Sequence, residues 1–369
     1  MNHKIKFVSA LVPFCLAVAG LLSVGCFLFA GGGGGGGGGN EPNQPPVSAT
    51  QALFDQVWLD FHRNYSHFGA KNVNWDTLGA QYRPNFAGNL GPAAFAAALA
   101  PMLAELEDLH VSLFDATGQV VDTYSRPAER NWLNAFPQTY FPNGVTKLKG
   151  TYPVLHGWMN DNIAYILIDN FYTDEWGGLN NAAVAAIEEL FATYAGADGM
   201  IVDARSNNGG NENVAKAIAG HFTNSKITYG YTKDRTPGNN RNAFEARVAH
   251  VLQPAASNRF LKPTILLMGQ FNMSSAEWFV LMMMECPAVE WTIGDSTRGS
   301  SGNPQEFSLS NGVSYLIPSW VAYDRYMLPI EDVGVDPLEW IASDESYNDA
   351  AGIDYVLDAA LDWMALLTL

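Results

Sequence analysis

Two adjacent serines, Ser274 and Ser275, lie between apolar runs in the segment TILLMGQFNMSSAEWFVLMMM. The first run predicts a buried strand and the second a helix, which places the serines at a strand-to-helix junction. Ser274 and Glu277 have the Ser-x-x-Glu spacing of a capping box, in which two side chains satisfy N–H groups of the first helical turn. The same junction has unpaired N–H groups that suit acyl-transfer chemistry, so one serine is also a candidate nucleophile.

Two further strand ends carry small or polar residues. RSNNGG follows the apolar run GMIVDA, and DSTRGSSG follows VEWTIG. In parallel α/β sheets ligands bind at the carboxyl ends of strands, so we expect these loops to converge with the serine loop if their strands are neighbours. The pair Gly209-Gly210 fits either a tight turn that needs positive φ or a backbone N–H aimed at a substrate oxygen.

The order of the strand-like and helix-like segments around these loops predicts an α/β protein with helices at its N-terminal end. Residues 47–110 show helical periodicity and form a predicted helical bundle, which opens with a Ser48-x-x-Gln51 capping box. Residues 111–369 then alternate between strands and helices, which implies parallel strands with covering helices. FSLSNGVSYLI predicts a hairpin with its turn at Asn311-Gly312, and DYVLDAALDWMALL predicts a closing amphipathic helix.

Residues 1–46 are predicted to lie outside the fold. Lys4 and Lys6 precede an almost wholly apolar stretch, which is typical of an export signal, and a glycine run at 31–39 predicts a flexible tether. LLSVGC resembles a bacterial lipoprotein cleavage site with Cys26 as the lipidated residue, although Ser23 stands where leucine is usual. An uncleaved membrane anchor and simple secretion remain the alternatives, and all three export the domain.

Composition narrows the classes of partner. The net charge is −17 and no basic patch is present, which argues against nucleic acid and anionic lipid. Membrane contact is expected only through the N-terminal lipid or anchor. After cleavage before Cys26 only Cys286 remains in the folded part, so that part is expected to have no internal disulfide. The histidines show no metal-ligand spacing with cysteine or acidic residues, so we expect no metal and no cofactor.

Six motifs in order resemble the C-terminal-processing (tail-specific) serine peptidases. They are LEDLHVSL, IAYILIDNF, IVDARSNNGG, NMSSAEWF, IGDSTRG and EDVGVDP, and the resemblance covers roughly residues 48–345. The chain is most similar to the branch with tricorn-core and retinoid-binding-protein-like members. The resemblance implies a ClpP/crotonase-like βα core and makes Ser274 the nucleophile, with Ser275 where alanine is common. The segment from Val111 to Asn162 is too short and lacks the motif for the PDZ domain of many relatives.

The family has two kinds of general base. The tail-specific branch uses a lysine at the position of Ser300, and this chain has no lysine after Lys262. The tricorn-like branch uses a histidine, which the resemblance assigns to His110 in Asp-Leu-His-Val. Leu109 departs from the usual glycine or serine. The acidic member of the site matches Glu331, with Asp332 as the fallback.

These assignments agree with elementary chemistry. A serine hydroxyl needs a base within hydrogen-bond reach. Imidazole titrates near neutral pH, so activity is expected to fall on acidification, around pH 6–7, as the ring becomes charged. A carboxylate such as Glu331 would fix the tautomer of the His110 imidazole and favour its protonated form. The N–H of Ser275 and one from Gly209 or Gly210 would form an oxyanion hole.

The sequence therefore predicts a serine endopeptidase of the cell envelope, periplasm-facing or at the surface, acting on peptides or unstructured protein tails. The alternative is a catalytically degenerate binding protein on the same fold, holding a peptide or apolar ligand. Leu109 and the missing lysine favour the binding protein, whereas Ser274, His110, Glu331 and the double glycine favour the enzyme.

Of the other histidines, His62 and His67 are expected to be packing or surface residues.

Overall fold

The computed structural model describes residues 47–369. The predicted signal, Cys26 and the glycine tether lie outside the described residues. The helices are α1 (Ala49–Asn64), α2 (Trp75–Tyr82), α3 (Pro92–Ala104), α4 (Asn181–Thr193), α5 (Glu212–Ala219), α6 (Ser275–Glu285) and α7 (Tyr355–Leu367). Among residues 47–369, no helix combines the length and apolar character that a membrane crossing requires.

The strands lie after α3, between the later helices and before α7. They are β1 (Leu113–Phe114), β2 (Val120–Val121), β3 (Thr146–Lys147), β4 (Val154–Trp158), β5 (Ile163–Ile168), β6 (Gly199–Asp203), β7 (Ile227–Asp234), β8 (Val248–Leu252), β9 (Thr264–Met268), β10 (Val289–Gly294), β11 (Gln305–Ser308), β12 (Ser314–Ile317), β13 (Trp320–Asp324), β14 (Glu339–Trp340), β15 (Tyr347–Asn348) and β16 (Ile353–Asp354).

A mixed seven-stranded sheet in the order β14-β10-β9-β6-β5-β4-β3 forms the centre of the protein. β5, β6, β9, β10 and β14 pair in parallel, and β4 and β3 continue the sheet antiparallel. The predicted parallel α/β core is therefore confirmed. Because β6, β9 and β10 are consecutive neighbours, the three loops that follow them leave from the same edge of the sheet.

Alternate residues of the central strands face two separate cores. Ile166, Val202 and Leu266 pack in the cluster that includes α4, α5 and α6, whereas Ile201 and Leu267 pack in the cluster that includes α7. This alternation follows from the two-residue period of a strand. Both faces of the sheet are thus covered, and the polar loops lie at the carboxyl ends of its central strands.

The N-terminal helices do not bury their apolar faces only against one another. Phe54, Phe61 and Leu103 belong to a cluster that also contains Leu113 of β1 and Tyr315 of β12. These strands lie in a sheet of order β11-β12-β1-β2, in which β11 and β12 form the predicted hairpin. The capping box of α1 is confirmed. The shared core ties the α3–β1 connection to the second half of the chain, and the domain boundary at residue 110 stays a prediction.

Candidate active site

Three polar loops, residues 204–211, 269–274 and 295–301, are joined through one buried asparagine. The side-chain amide of Asn272 donates to the backbone carbonyls of Ala204 (2.5 Å) and Asn207 (2.9 Å), and the backbone carbonyl of Asn272 accepts from the backbone N–H of Arg298 (2.8 Å). Asn272 has no solvent exposure. Its bonds are therefore fully desolvated, and they fix the serine loop against both neighbouring loops.

Ser274 precedes α6 in a backbone conformation that is rare for a residue with a side chain, at φ 56° and ψ −127°. Such strain persists only where surrounding structure enforces it, and it is concentrated at functional sites. The Ser274 side chain makes no capping bond, so the predicted capping box is wrong. The hydroxyl of this partly buried residue is thus not used to stabilise the helix.

Glu277, the other member of the expected capping box, instead holds the 295–301 loop. Its carboxylate accepts from Thr297 Oγ1 (2.7 Å) and from the N–H groups of Gly299 (2.7 Å) and Ser300 (2.9 Å). Burial raises the pKa of Glu277 to about 8, although these three hydrogen bonds act in the opposite direction. Through Glu277 the helix that follows Ser274 fixes the position of Ser300.

Ser300 contacts both proposed catalytic residues. Its carbonyl accepts from the N–H of Ser274 (2.8 Å), and its Oγ lies 2.8 Å from Nδ1 of His110. Ser300 is only 1% exposed, so a substrate carbonyl cannot reach its hydroxyl, whereas Ser274 is partly open to solvent. The arrangement therefore suits Ser274 as the nucleophile and Ser300 as a group that orients the imidazole.

His110 lies between α3 and β1 and is 8% exposed. The backbone N–H of His110 donates to Asp108 Oδ1 (2.8 Å), which fixes the backbone from which the imidazole ring extends. Burial, with the positive charges of His67 and Lys71, lowers the pKa of His110 to about 4, while Asp108 acts in the opposite direction. The ring is consequently neutral at physiological pH, as a general base must be.

The glycine pair lies beside the serine. A Cβ at Gly209 would be 3.0 Å from Ser274 Cβ, and the carbonyl of Gly210 accepts from Ser275 Oγ (2.7 Å). The N–H of Gly209 donates to Asn207 Oδ1 (2.9 Å), whereas the N–H groups of Gly210 and Ser275 have no acceptor among residues 47–369. Of the expected oxyanion donors, Ser275 and Gly210 thus remain available.

Glu331 does not contact His110 in the described part of the chain, contrary to the expected direct contact. Its Oε2 accepts from the N–H (2.9 Å) and Oγ (3.2 Å) of Ser301, the residue after Ser300. Its Oε1 lies 3.4 Å from Lys71 Nζ and 3.6 Å from His67 Nδ1. The substitution of a serine for the tail-specific lysine explains the difference, because Ser300 occupies the position beside Nδ1. Asp332, the fallback, pairs with Lys71 (2.5 Å).

A buried ionic network lies behind His110, and sequence reasoning missed most of it. His67 Nδ1 lies 3.0 Å from Asp108 Oδ2, and its Nε2 lies 2.9 Å from the carbonyl of Trp320. Burial opposes the charged ring, but Glu331 and Asp108 raise the pKa of His67 overall. His67 is therefore neither a surface nor a purely packing residue. Nothing in DFHRNYSHFG distinguishes it from His62 as a network member, because its partners lie in distant segments.

The nitrogen and oxygen atoms of His67, Asp108 and Glu331 lie within 4.8 Å of one another, a spacing that suits a metal ion. Both ring nitrogens of His67, however, face hydrogen-bond acceptors, so both carry protons and neither has a lone pair for a metal. Lys71 adds a second positive charge beside Glu331. The donor set therefore fits an ion-pair network better than a metal centre.

Two family models match the sequence. Peptidase family S41 matches residues 162–338, and the tricorn protease C1 domain matches residues 46–104. Together they cover the N-terminal helices α1 to α3, the central strands β5, β6, β9 and β10, and all three polar loops. A search of curated protein sequences found no match.

Solved structures support the same fold. A candidate peptidase from Parabacteroides merdae aligns with a TM-score of 0.70 and 23% identity, over 86% of this chain and 97% of its own. Mature CPAF in complex with lactacystin aligns with a TM-score of 0.63 and 9% identity, over 86% of this chain and 98% of its own. The photosystem II D1 C-terminal processing protease aligns with a TM-score of 0.51 and 15% identity, over 84% of this chain and 99% of its own. The chain belongs to peptidase family S41, the family of the tail-specific and C-terminal-processing enzymes, and is a serine peptidase.

Proposed function

We propose that this serine peptidase is an endopeptidase of the cell envelope that cleaves peptides or unstructured protein tails by a Ser/His mechanism. Ser274 is the nucleophile and His110 the general base. The observation that supports this most directly is the double contact of Ser300, with the backbone of Ser274 and the ring of His110. One residue thereby holds the nucleophile and the base in the same site.

The proposed reaction needs one tautomer of His110. With the proton on Nδ1 donated to Ser300 Oγ, the lone pair on Nε2 can accept the proton of Ser274 Oγ. Ser274 Oγ then bonds to the substrate carbonyl carbon, and the imidazolium returns the proton to the leaving amine. Water, deprotonated by His110, hydrolyses the acyl-enzyme and regenerates Ser274.

The negative charge that develops on the carbonyl oxygen needs donors that are already in place. The unused N–H groups of Ser275 and Gly210 are the proposed oxyanion hole, and Ser275 Oγ bonded to Gly210 O holds the two segments together. Loss of one such donor typically costs about 10²–10³ in rate. Gly209 is then a spacer that allows the close approach, rather than a donor.

Glu331 is proposed as a positioning residue. Because it binds Ser301, it holds the segment that presents Ser300 to His110. Ser300 itself is neutral and supplies orientation without charge. The carboxylate of Asp108, which acts to raise the pKa of His110, is the proposed source of electrostatic stabilisation for the imidazolium.

A fluorophosphonate probe, which reacts with activated serines, tests this mechanism. We expect labelling of the wild type, no labelling of Ser274→Ala, and strongly reduced labelling of His110→Ala. Ser308→Ala, an exposed serine on β11, is the matched control and should label normally. Absence of labelling in the wild type at every pH would contradict the Ser/His mechanism and favour the degenerate binding protein.

The location in the envelope rests on the N-terminal sequence. We propose that Cys26 is lipidated after signal cleavage and that the glycine run tethers the peptidase to a membrane. A fatty-acid analogue should label the full-length chain, and Cys26→Ala should abolish the label. If the wild type carries no such label and stays in the membrane fraction with its apolar segment intact, the uncleaved anchor is the correct alternative.

A further inference from the structure

His67 lies between two carboxylates, each of which holds part of the site around His110. Asp108 Oδ1 accepts from the backbone N–H of His110 (2.8 Å). Glu331 Oε2 accepts from the backbone N–H of Ser301 (2.9 Å), the residue after the serine that contacts the imidazole. The remaining oxygens of the two carboxylates face the same atom, His67 Nδ1, at 3.0 Å for Asp108 and 3.6 Å for Glu331. One nitrogen therefore connects both groups that position the proposed base.

The ring of His67 is packed against the loop that carries Ser300. A Cβ added at Gly302 would lie 3.2 Å from His67 Cε1 and 2.7 Å from Pro318 Cβ, so the absence of a side chain allows this close approach. On the other side of the ring, Nε2 lies 2.9 Å from the carbonyl oxygen of Trp320. The side chain of His67 has no solvent exposure. The ring is therefore enclosed, and the fold determines its hydrogen-bond partners.

The contacts of His67 require a doubly protonated ring. A backbone carbonyl and an ionised carboxylate are both acceptors, so Nε2 and Nδ1 must both donate. Burial opposes the ionised form of Asp108, but the hydrogen bond and the charge of His67 lower the pKa of that carboxyl to about 2. The two side chains therefore form a buried pair of imidazolium and carboxylate.

The other titratable groups of the network stabilise the same arrangement. The hydroxyl of Tyr65 donates to Asp108 Oδ2 (2.8 Å). Lys71 Nζ lies 3.4 Å from Glu331 Oε1 and 2.5 Å from Asp332 Oδ1. The carboxylates thus outnumber the cations in this part of the described chain, so loss of the imidazolium charge would leave buried negative charge without compensation.

A positive charge at His67 also acts on His110. Burial lowers the pKa of His110, Asp108 raises it, and the charges of His67 and Lys71 lower it further. Because like charges repel, an imidazolium behind the base opposes the formation of a second imidazolium in the free enzyme. His110 consequently stays neutral, and able to accept a proton, in more acidic solution.

We propose that His67 is a positioning residue that, as an imidazolium, holds Asp108 and Glu331 in place and extends the activity of the peptidase into acidic solution. This inference rests on the proposed Ser/His mechanism and adds a second histidine to it. His67 touches neither the substrate nor the reacting atoms. It acts through the two carboxylates, and through its charge on His110.

Neutral replacements of His67 test both parts of this role. His67→Asn keeps a donor near the position of Nδ1, and His67→Gln keeps one near that of Nε2, but neither side chain is charged. The rate of fluorophosphonate labelling from about pH 3.5 to about pH 8 reports the state of the base without a known substrate. We expect the acid limb near pH 4 to move up by about one pH unit in both variants, because a like charge beside His110 is lost.

The two variants should differ in rate on the neutral plateau. At about pH 7 the labelling rate of His67→Gln should fall about tenfold below that of the wild type, because the donor to Asp108 is lost. His67→Asn should retain more of the rate, because its amide still reaches that carboxylate.

His62→Gln is the matched control, because His62 lies in the same segment and accepts from Arg241 Nε (3.0 Å) rather than from the network. Its labelling rate and acid limb should equal those of the wild type. An acid limb that stays near pH 4 in both His67 variants would overturn the proposal, and any loss of rate or stability would then assign His67 to packing alone.

Nitrogen-15 NMR of the histidine rings tests the charge in the wild type, whether or not the His67 variants fold. We expect one ring to stay doubly protonated at about pH 7, where a free imidazole is mostly neutral. One-at-a-time replacement of the other histidines should leave this signal in place, which assigns it to His67. A singly protonated His67 at that pH would overturn the proposal.

The proposed mechanism and the role of His67 fail in different ways. Absence of labelling in the wild type at every pH would contradict the Ser/His mechanism, and with it the role that depends on it. Normal labelling of the wild type, with an unchanged acid limb in both His67 variants, would contradict the role of His67 alone and leave the mechanism intact.

Discussion

Ser300 Oγ lies 2.8 Å from Nδ1 of His110, although the two residues are 190 positions apart in the chain. Ser300 matches the position at which the tail-specific branch carries its catalytic lysine. In the proposed mechanism that position supplies no base, but it orients one. The exchange of a lysine for a serine would then accompany the transfer of the base from the loop after β10 to the α3–β1 connection.

Replacement of Ser300 tests this orienting role. In Ser300→Ala the imidazole loses its Nδ1 partner, so the tautomer with a free Nε2 is no longer favoured. We expect kcat to fall roughly tenfold to a hundredfold, as the loss of a hydrogen bond worth about 1.5–3 kcal/mol implies, with little change in KM. Steady-state kinetics on a cleaved peptide measures both constants.

Ser300→Thr keeps the hydroxyl and should retain more activity than the alanine variant. Ser308→Ala serves again as the exposed control. If Ser300→Ala matched the wild type in kcat, the orienting role would be wrong. A fall in thermal stability without a change in kcat would assign Ser300 to packing alone.

The strand pattern allowed the core and the convergence of the three polar loops to be predicted. Apolar runs of strand length separated by helical periodicity imply parallel neighbours, and parallel neighbours place their carboxyl ends together. Ser274, Gly210 and Ser275 could be placed in one site for that reason. Local pattern sufficed here because β6 and β9 are adjacent in the sheet.

The remaining contacts could not be predicted, because they join segments that share no local pattern. His67 reaches Asp108, Glu331 and the backbone of Trp320 only through tertiary packing. The spacing of Ser274 and Glu277 favoured a capping box, but the buried Glu277 binds a neighbouring loop instead. At Glu277, hydrogen bonds to the N–H groups of the 295–301 loop replace the capping bond that the local sequence favours at a helix start.

The acid limb of the pH–rate profile should lie far below that of a free imidazole. His110 must be neutral to accept a proton, and its pKa is lowered to about 4, so kcat/KM should hold down to about pH 5 and fall around pH 4. This revises the fall around pH 6–7 expected from the sequence. Initial rates from about pH 3.5 to about pH 8 would decide, and a fall centred near pH 6.5 would show that the ring titrates as if exposed.

Gly209→Ala tests the close approach of the glycine loop to the nucleophile. Gly209 has φ +109°, and an added Cβ would lie 2.8 Å from Met273 O and 3.0 Å from Ser274 Cβ. The serine loop must move, so we expect activity and fluorophosphonate labelling to fall about 100-fold or more. Gly118→Ala is the matched control, because it has φ +80° and no atom within 4 Å of the added Cβ. Equal activity of both variants would contradict the steric argument.

The ion pair of Lys71 and Glu331 should be strongly coupled, because their side chains are only 4% and 2% exposed. At pH 8, above the pKa of about 7 of Glu331, Lys71→Met leaves a buried carboxylate short of a counter-charge, which we expect to lower the free energy of unfolding by roughly 3–5 kcal/mol. Lys71→Met combined with Glu331→Gln should recover part of that loss.

Urea unfolding of the four proteins gives the coupling energy for Lys71 and Glu331. The same cycle on the exposed pair of Lys149 and Glu189, whose side chains are 45% and 61% exposed, is the control and should give about 1 kcal/mol or less. Strictly additive losses at Lys71 and Glu331 would show that the pair does not act as a unit.

Thermal stability should be greatest in mildly acidic solution. Burial raises the pKa of Glu277 to about 8 and that of Glu331 to about 7, from 4.5, so the folded state retains protons that the unfolded state releases. Stability should therefore fall as the pH rises from about 5 to about 8, although His110, whose pKa is lowered from 6.5 to about 4, opposes this trend between those two values. Below about pH 4 stability should fall again, because the pKa of Asp108 is lowered from 3.8 to about 2 and its ionised, paired carboxylate becomes protonated. Melting temperatures across this range test the prediction, and Glu331→Gln should flatten the alkaline decline. A melting temperature that rises steadily from pH 5 to pH 8 would show that these carboxyls are ionised in the folded protein at lower pH.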